Sequence, residues 1–213
     1  PDVLFVTTKA PFLAEALEKI DVIFLKNSLV VPLLNGIEHL EILKAKFGAK
    51  VIAGTIGCIE AYSPSLGKVE HFSDGAPCIT LFSGGERKKE VGSLADALSK
   101  IGIKVSLIDN EKDVLWEKFL RLSALAAITS ASGKNLGLLR SDPAWRATLE
   151  NFLKEAEAIV RSDGATITAV SAIKHLDEAP ASLKSSLQKD LESGKPSEFD
   201  ALVGSLLRMG EKF

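Results

Sequence analysis

The sequence changes character once along its length, and this change constrains the fold more than any other feature. Up to about residue 109, short apolar and β-branched runs alternate with segments of helical length. Beyond that point only helical periodicity remains. Alternating strands and helices are typical of a parallel sheet covered by helices, and a run of helices alone predicts an all-α layer. We therefore predict an α/β domain at residues 1–109 and a helical domain at residues 110–213.

Periodicity and turn residues place the individual elements. In the first half, strands are predicted at 3–6, 29–33, 51–56 and 104–107, and helices at 11–18, 37–47 and 90–100. Three more strand-like runs, at 59–62, 68–72 and 78–82, are separated by Pro, Gly and Asp, which favours antiparallel strands added to a sheet edge. In the second half, helices are predicted at 111–130, from Pro143 to about 162, at 185–191 and at 198–213.

Composition excludes several classes of partner. The 213 residues are 46% apolar and 25% charged, with a formal charge of −2. This balance argues against binding to nucleic acid or to an anionic membrane, and favours a small-molecule partner. The sequence contains neither an apolar run of about 18 residues nor a signal-peptide pattern. Cys58 and Cys78 lie in apolar, strand-like segments without metal-ligand spacing, so we expect buried, reduced thiols in a cytoplasmic protein and no metal site.

Both ends of the sequence are unusual. Pro1 is followed almost at once by a strand pattern, and the apolar periodicity of 199–213 runs to the last residues without a stop signal. The expectation from this pattern is a chain cut from something longer.

Lys118 lies within the apolar stripe of the predicted helix 111–130. Val114, Leu115, Leu122 and Leu125 are its neighbours one or two turns away. A buried ammonium costs several kcal/mol unless a carboxylate or a polar cleft receives it, and burial favours loss of its proton. Lys118 is therefore a rim lysine that reaches solvent, half of a buried ion pair, or a functional residue.

Glu198 is a candidate partner for that lysine. Gly194 fits the position after a helix end, and Ser197 with Asp200 resembles a capping box, which would place Glu198 in the first turn of the last helix. Free N–H groups and the helix dipole favour an ionised carboxylate there. The alternative interpretation is an ordinary acidic residue at a helix start.

Several motifs together resemble ketopantoate reductase, also called 2-dehydropantoate 2-reductase. The motifs follow the family's order over nearly the whole chain, and the last is the most specific. They are VPLLNGIE at 31–38, LWEKF at 115–119, LRSDP at 139–143, and SSLQKD at 185–190 followed by GKPSEFD at 194–200. The resemblance implies a Rossmann-type NADP-binding domain, here only its C-terminal portion, followed by a helical domain like that of 6-phosphogluconate dehydrogenase. It also implies NADPH-dependent reduction of ketopantoate to pantoate, on the route to pantothenate and coenzyme A.

The resemblance also assigns roles to individual residues. Lys118 would protonate the ketone oxygen, and Glu198 would engage the substrate hydroxyl and orient the lysine. The implied substrate-binding residues are Ser186 for the carboxylate, Asn35 and Asn135. The implied cofactor-binding residues are Lys9, Asn35 and Ile59. If these roles hold, Lys118 and Glu198 should face one cleft between the two parts of the chain, with Ser186 on its wall and Asn35 opposite.

The sequence also departs from the family pattern. The N-terminal strand and the G-x-G-x-x-G phosphate turn are missing, so we expect this 213-residue chain to bind NADPH weakly and a longer form with that turn to bind it well. Leu122, Ala126 and Leu136 stand where well-studied members carry asparagines. Leu122 and Ala126 should line the cleft and make it less polar.

These departures leave three functions open. The first is reduction of ketopantoate or a related 2-keto acid. The second is a paralogous reductase for a more apolar 2-keto acid. The third is a non-catalytic remnant that binds or dimerises through the helical part. A homodimer is compatible with all three.

Overall fold

A computed structural model of the protein describes residues 1–71 and 75–213, and its first half is built on a sheet. β1 (Val3–Val6) pairs in parallel with β2 (Leu29–Pro32). On its other side β2 meets Val51 through a parallel bridge between Val30 and Val51. All four residues of β2 are buried, as expected for an inner strand covered on both faces.

The sheet continues through strands of mixed direction. β3 (Gly54–Gly57) is antiparallel to β6 (Cys78–Phe82), which pairs in parallel with β7 (Lys104–Ile108). The predicted strand 51–56 is therefore divided, because its first residue bridges to β2 and its later residues pair with β6. The predicted edge position of 78–82 is wrong, since β6 lies between two strands.

The other two predicted edge strands form a separate hairpin. β4 (Ala61–Ser65) and β5 (Lys68–His71) pair with each other, and every residue of both strands is exposed. Their sequences offer no apolar face that could pack on the sheet, so the prediction that they extend its edge is wrong. Phe72, the predicted end of the second of these strands, lies outside the described residues.

Helices connect and cover the strands as expected. α1 (Leu13–Glu18), α2 (His39–Phe47) and α3 (Lys88–Lys100) match the predicted helices to within a few residues. A 3-10 turn at Ala10–Phe12 precedes α1 and carries the proline near its start.

The second half is helical, and α4 (Glu111–Ser132) is its central element. Asn110 caps the start of α4, and Gly133 ends it with a positive φ of 68°. α4 is buried on several sides because its apolar residues do not form one narrow stripe. Trp116 and Phe119 are almost fully buried, with ring centroids 5.2 Å apart in an edge-to-face arrangement.

The remaining helices surround α4. They are α5 (Leu136–Ser141), α6 (Pro143–Ser162), α7 (Ala169–Glu178), α8 (Ser186–Glu192) and α9 (Ser205–Lys212). The predicted start at Pro143 is confirmed, with Asp142 accepting hydrogen bonds from the first turn of α6. α5 and α7 were not predicted. No helix in the described part of the chain is long and apolar enough to cross a membrane.

The last helix differs from its prediction at its start. A π-helical turn at Asp200–Gly204 leads into α9, and the N–H of Leu202 donates to the carbonyl of Glu198. Glu198 therefore immediately precedes the helical residues. The predicted capping box is wrong, because the Asp200 carboxylate accepts from Arg208 at 2.9 Å instead of turning back to Ser197.

One main core joins the two halves. It includes Val30 and Leu43 from the α/β part together with Trp116 and Leu153 from the helical part. The two parts therefore pack against each other, and the predicted α/β arrangement followed by helices is confirmed. Their division into two domains at residue 109 stays a prediction.

The two cysteines are more accessible than expected. Cys58 is exposed and Cys78 is half-buried, and both are free thiols. The prediction of buried thiols is wrong, because Cys58 follows the last residue of β3 and lies beyond the paired part of the sheet.

Candidate active site

The loop after β2 places Asn35 at the junction of the two parts of the molecule. Gly36 follows with φ 92°, and a Cβ on it would lie 2.8 Å from the carbonyl oxygen of Ala201. Glycine tolerates both the positive φ and this close approach, whereas other residues would be strained. Gly36 therefore allows the last helical segment to come close to Asn35.

The side-chain amide of Asn35 connects the two residues predicted to be catalytic. Lys118 Nζ donates to Asn35 Oδ1 at 2.8 Å, and Asn35 Nδ2 donates to Glu198 Oε2 at 2.8 Å. The other oxygen of Glu198, Oε1, accepts from the backbone N–H of Ala10 at 3.2 Å. Lys118 and Glu198 thus meet as expected, but in the described part of the chain they meet through an amide instead of a direct ion pair.

Burial sets the electrostatics of Lys118. Removal from water and, to a lesser extent, repulsion from Arg121 lower the pKa of Lys118, attraction to Glu198 partly opposes them, and the net pKa is about 8. Glu198 itself is only 7% exposed. Lys118 can therefore give up or take up a proton near neutral pH, which is the property required of a general acid or base.

A cavity of about 280 Å³ opens on the Glu198 side of Asn35. Its walls come from three segments of both halves, at 10–13, 35–42 and 197–201, and include Asn35, His39 and Glu198. Clefts between parts of a protein are common places for small-molecule sites. The position between the α/β and helical parts agrees with the predicted cleft, but Lys118 is not among the residues that line this cavity.

A smaller cavity lies on the Lys118 side of Asn35. Its polar lining comes from Asn35, Thr55 and Lys118, and its apolar lining includes Leu122. The expectation that Leu122 lines the site is thus confirmed. The same expectation for Ala126 is wrong, since Ala126 is 0% exposed in the main core and is not among the residues lining either cavity.

Lys9 and Ser186 lie near this network without joining it. Lys9 Nζ binds Asp190 Oδ2 at 2.8 Å, and the next residue, Ala10, binds Glu198. Ser186 precedes Asp190 by one turn of α8, so both lie on the face nearest the loop after β1. Ser186 is exposed and is not among the residues lining the two cavities. Its role in binding a carboxylate stays a prediction.

Asn135 and Ile59 are not brought to the network. Asn135 caps α5, with Oδ1 accepting from the N–H of Leu138 at 3.1 Å. It lies beyond the far end of α4 from Lys118, at a distance of roughly 20 Å along the helix. Ile59 is 40% exposed between β3 and β4. The predicted contacts of Asn135 with substrate and of Ile59 with cofactor receive no support from this geometry.

Sequence reasoning missed His39, the first residue of α2. His39 is 4% exposed and lines the larger cavity. Burial, with a further effect from Lys118, lowers the pKa of His39 to about 4, so the ring is neutral at physiological pH. Neither ring nitrogen has a hydrogen-bond partner among the described residues. Its place four residues after Asn35, at the start of a predicted helix, could have singled it out.

A second polar group without a partner among the described residues lies in the loop just after β1. The hydroxyl oxygen of Thr8 is buried and has no hydrogen-bond partner in the described part of the chain. Buried polar atoms are usually paired, so a hydroxyl of this kind points to a missing ligand or water. Thr8 and Asn35 follow neighbouring parallel strands at the same edge of the sheet.

Comparisons with known proteins identify the family of this chain. Residues 1–82 match the family model described as ketopantoate reductase PanE/ApbA, and residues 110–213 match the model of its C-terminal part. The chain is 28% identical to the uncharacterized oxidoreductase YkpB of Bacillus subtilis (strain 168), covering 99% of this chain and 71% of the relative. It is 26% identical to a 2-dehydropantoate 2-reductase of Archaeoglobus fulgidus, covering 100% of this chain and 70% of that protein.

Solved structures with low sequence identity share the fold. D-mandelate dehydrogenase, in a ternary structure with NADH and anilino(oxo)acetate, matches with a TM-score of 0.88 and 22% identity, over 100% of this chain and 70% of its own. A dimeric ketopantoate reductase from Staphylococcus aureus matches with a TM-score of 0.79 and 17% identity, over 99% and 70%. The fold class expected from the sequence is confirmed, and the chain belongs to the ketopantoate reductase family of oxidoreductases.

Proposed function

We propose that this protein reduces the keto group of a 2-keto acid with NADPH, and that ketopantoate, which would yield pantoate, is the first substrate to test. The observation that carries the proposal is the position of Lys118. Its ammonium lies in largely apolar surroundings, is held by Asn35, and has a pKa lowered to about 8. Carbonyl reduction needs a proton donor of this kind where an alkoxide develops.

The residues at the edge of the sheet fit the nicotinamide end of a dinucleotide. Thr8 has an orphan hydroxyl, and Asn35 follows the neighbouring parallel strand. In open α/β sheets, ligands bind in the crevice outside the carboxyl ends of the strands. Thr8, Lys9 and Asn35 would hold this end of the cofactor. The glycine-rich turn that cradles the pyrophosphate is not part of this sequence.

The chemistry of this chain's own residues follows from their contacts. When bound, the dihydronicotinamide supplies the hydride that adds to the carbonyl carbon. As the C=O π bond breaks, Lys118 gives a proton to the oxygen, which becomes the new hydroxyl. Asn35 keeps the ammonium in position through Oδ1 and holds Glu198 through Nδ2. Glu198 accepts a hydroxyl hydrogen of the substrate, and the family resemblance assigns the contact with its carboxylate to Ser186.

A specific observation favours a second substrate class. Leu122 lines the cavity beside Lys118, in a position where well-studied relatives carry an asparagine. An amide there could bind a hydroxyl or carboxylate, whereas a leucine favours an apolar group. A 2-keto acid with an apolar side chain is therefore the alternative to ketopantoate.

The proposal is tested by measuring NADPH oxidation with a panel of 2-keto acids. The panel contains ketopantoate and 3-methyl-2-oxobutanoate, which lacks the hydroxyl group. Both this chain and the full product of its gene are assayed, because weak NADPH binding is expected for the chain without the glycine-rich turn. Higher kcat/KM for ketopantoate supports ketopantoate as the substrate. Higher kcat/KM for 3-methyl-2-oxobutanoate supports a 2-keto acid with an apolar side chain. If the full gene product turns over none of the 2-keto acids in the panel, the proposed function is contradicted. This result favours a non-catalytic protein that binds or dimerises.

We propose a homodimer as the assembled form. The dimeric relative from Staphylococcus aureus supports this proposal through its shared fold. Sedimentation equilibrium over a range of protein concentrations measures the mass directly, and a monomer at all concentrations would contradict it.

A further inference from the structure

Arg121 differs from every other arginine of the chain. The other five, Arg87, Arg140, Arg146, Arg161 and Arg208, each donate hydrogen bonds to carboxylates or backbone carbonyls. Arg121 is half-buried, and its buried Nε has no hydrogen-bond partner among the described residues. It also takes part in none of the ion pairs of the described chain. A buried donor without a partner is unfavourable, so a ligand is expected to complete it.

The guanidinium of Arg121 lies beside the cavity that contains Lys118. A Cβ built on Gly57 would lie 4.0 Å from Nη2 of Arg121. Gly57 and Thr55 lie on the same face of β3, because alternate residues of a strand point to the same side. Thr55 lines the smaller cavity together with Lys118. Arg121 is thus at the carboxyl end of β3, and the absent side chain of Gly57 leaves space next to its guanidinium.

Charge balance at this place is incomplete. Lys118 and Arg121 lie three residues apart on α4, with Cβ atoms about 5–6 Å from each other. Glu198, the carboxylate that acts on Lys118, is reached through the amide of Asn35. Two like charges in a partly buried site repel each other, and burying them is costly without a counter-charge. An anion bound here would remove both penalties.

We propose that Arg121, in place of the Ser186 that the family resemblance implies, binds the carboxylate of the 2-keto acid while Lys118 faces its keto oxygen. This inference rests on the proposed function. The keto oxygen and the carboxylate belong to adjacent carbon atoms, and the two cations that would receive them are one helical turn apart. A guanidinium suits the carboxylate because its planar fork can donate two parallel hydrogen bonds. Arg121 thereby selects keto acids over neutral ketones. It provides a polar contact for the substrate even though Leu122 and Ala126 occupy positions where relatives carry asparagines.

The test compares ligands with and without a carboxylate. We use 3-methyl-2-oxobutanoate and 3-methylbutan-2-one, which has a methyl group in place of the carboxylate. Their binding to the full gene product is measured by calorimetry, and KM and kcat are measured with NADPH. The variants are Arg121→Met, which removes the charge at similar length, and Arg121→Lys, which keeps the charge but loses the fork. Arg161→Met is the matched control, because Arg161 is largely exposed and pairs with Glu157 on its own helix.

The expected result is a selective loss of affinity for the keto acid. Arg121→Met should weaken its binding and raise its KM by roughly 30-fold or more, the usual effect of removing one partner of a buried charge pair. Arg121→Lys should recover part of this loss. Weak interaction with 3-methylbutan-2-one should be the same in all variants, and Arg161→Met should behave as wild type.

Other outcomes separate this inference from the proposed function. Unchanged keto-acid KM in Arg121→Met, with an active wild type, overturns the role of Arg121 and leaves the reductase function standing. A weaker NADPH affinity with unchanged keto-acid KM assigns the guanidinium to a cofactor phosphate and also overturns it. An equal loss of affinity for the keto acid and the ketone indicates a structural role for Arg121 and overturns its role in binding the carboxylate. A wild type that neither binds nor reduces any keto acid contradicts the proposed function itself. If Arg121→Met does not fold, the ratio of keto-acid affinity to ketone affinity in Arg121→Lys is compared with wild type. A lower ratio supports the inference, and an unchanged ratio overturns it.

Discussion

Two groups of polar and charged side chains on α4 differ in whether they have partners within the protein. In the first turns, Lys112 binds Asp163 at 3.0 Å, and the same carboxylate accepts from Trp116 Nε1 at 2.8 Å. Asp113 accepts from the N–H and the hydroxyl of Thr166. We call Lys112, Asp113 and Trp116 the anchoring group, since each side chain has a partner on a neighbouring segment of the helical half.

One to two turns later, Lys118 and Arg121 form what we call the cation pair. Lys118 is held by an amide, and the buried Nε of Arg121 has no partner among the described residues. The difference lies in whether the polar groups find all of their partners within the protein. The anchoring group is complete without a ligand and holds α4 to the loop after α6. The cation pair has no complete set of partners among the described residues, as the proposed binding of an anion and a developing alkoxide requires.

The largest expected effect comes from removing the lysine of the cation pair. Lys118→Met should lower kcat by about 10²–10⁴-fold, the usual range for loss of a general acid. The variant should remain folded, because a buried ammonium is replaced by an apolar chain of similar length. Steady-state kinetics and circular dichroism measure the two properties. Lys112→Met, in the anchoring group, is the control and should keep its kcat. Near wild-type turnover of Lys118→Met would return Lys118 to a structural role.

The opposite pattern is expected when the anchoring group loses the carboxylate of Asp163, which accepts from two of its members. Asp163→Ala should lower the free energy of unfolding by about 2–4 kcal/mol, because the buried N–H of Trp116 and the ammonium of Lys112 lose their acceptor. Urea denaturation measures this loss, and kcat should stay close to wild type in the folded variant. Asp96→Ala, at an exposed position on α3, should change the stability by less than about 0.5 kcal/mol. A large loss of kcat without loss of stability would erase the distinction between the two groups.

The amide that supports the cation pair should have an intermediate effect. Asn35→Ala removes the acceptor of Lys118 and a donor to Glu198, and should lower kcat/KM by about 10–100-fold, a loss of roughly 1.4–2.7 kcal/mol in transition-state stabilisation. Asn135→Ala is a matched control that removes a helix cap and should cost about 1 kcal/mol of stability. Unchanged kinetics in Asn135→Ala would identify Asn135 as a cap alone, whereas a higher KM would support its predicted contact with substrate.

The smallest effect concerns pH. Lys118 must be protonated to donate, and its pKa is lowered to about 8. The kcat/KM for reduction should therefore be level below this pH and fall by about tenfold per unit above it. Arg121→Met removes a repulsion, so the pKa of Lys118 should rise and the fall should begin at higher pH. A pH profile identical to that of wild type would contradict the coupling between the two cations.

Much of the fold was predictable because its signals are local. The cap at Asp142 and the apolar spacing that follows predicted α6, and the alternation of apolar runs with helical segments predicted β2 as a strand of a parallel sheet. α5 has only six residues, too few for a helical period to be recognised. α7 does carry a local signal, since Thr168 caps it and its buried residues recur at helical spacing. The π-helical turn after Glu198 had no sequence signal, and it lies against the loop that contains Gly36.

The sequence by itself determined that Lys118 would lie on an apolar helix face and that Glu198 would lie at the start of the last helix. Both follow from spacing over one or two helical turns. Only the tertiary structure decided that Asn35 stands between them, because its partners lie 83 and 163 residues away along the chain. It also decided that Arg121 has no carboxylate partner among the described residues, while the other arginines have acceptors. Local patterns record which face a residue occupies, but the partner of a buried charge depends on segments that meet only after the chain has folded.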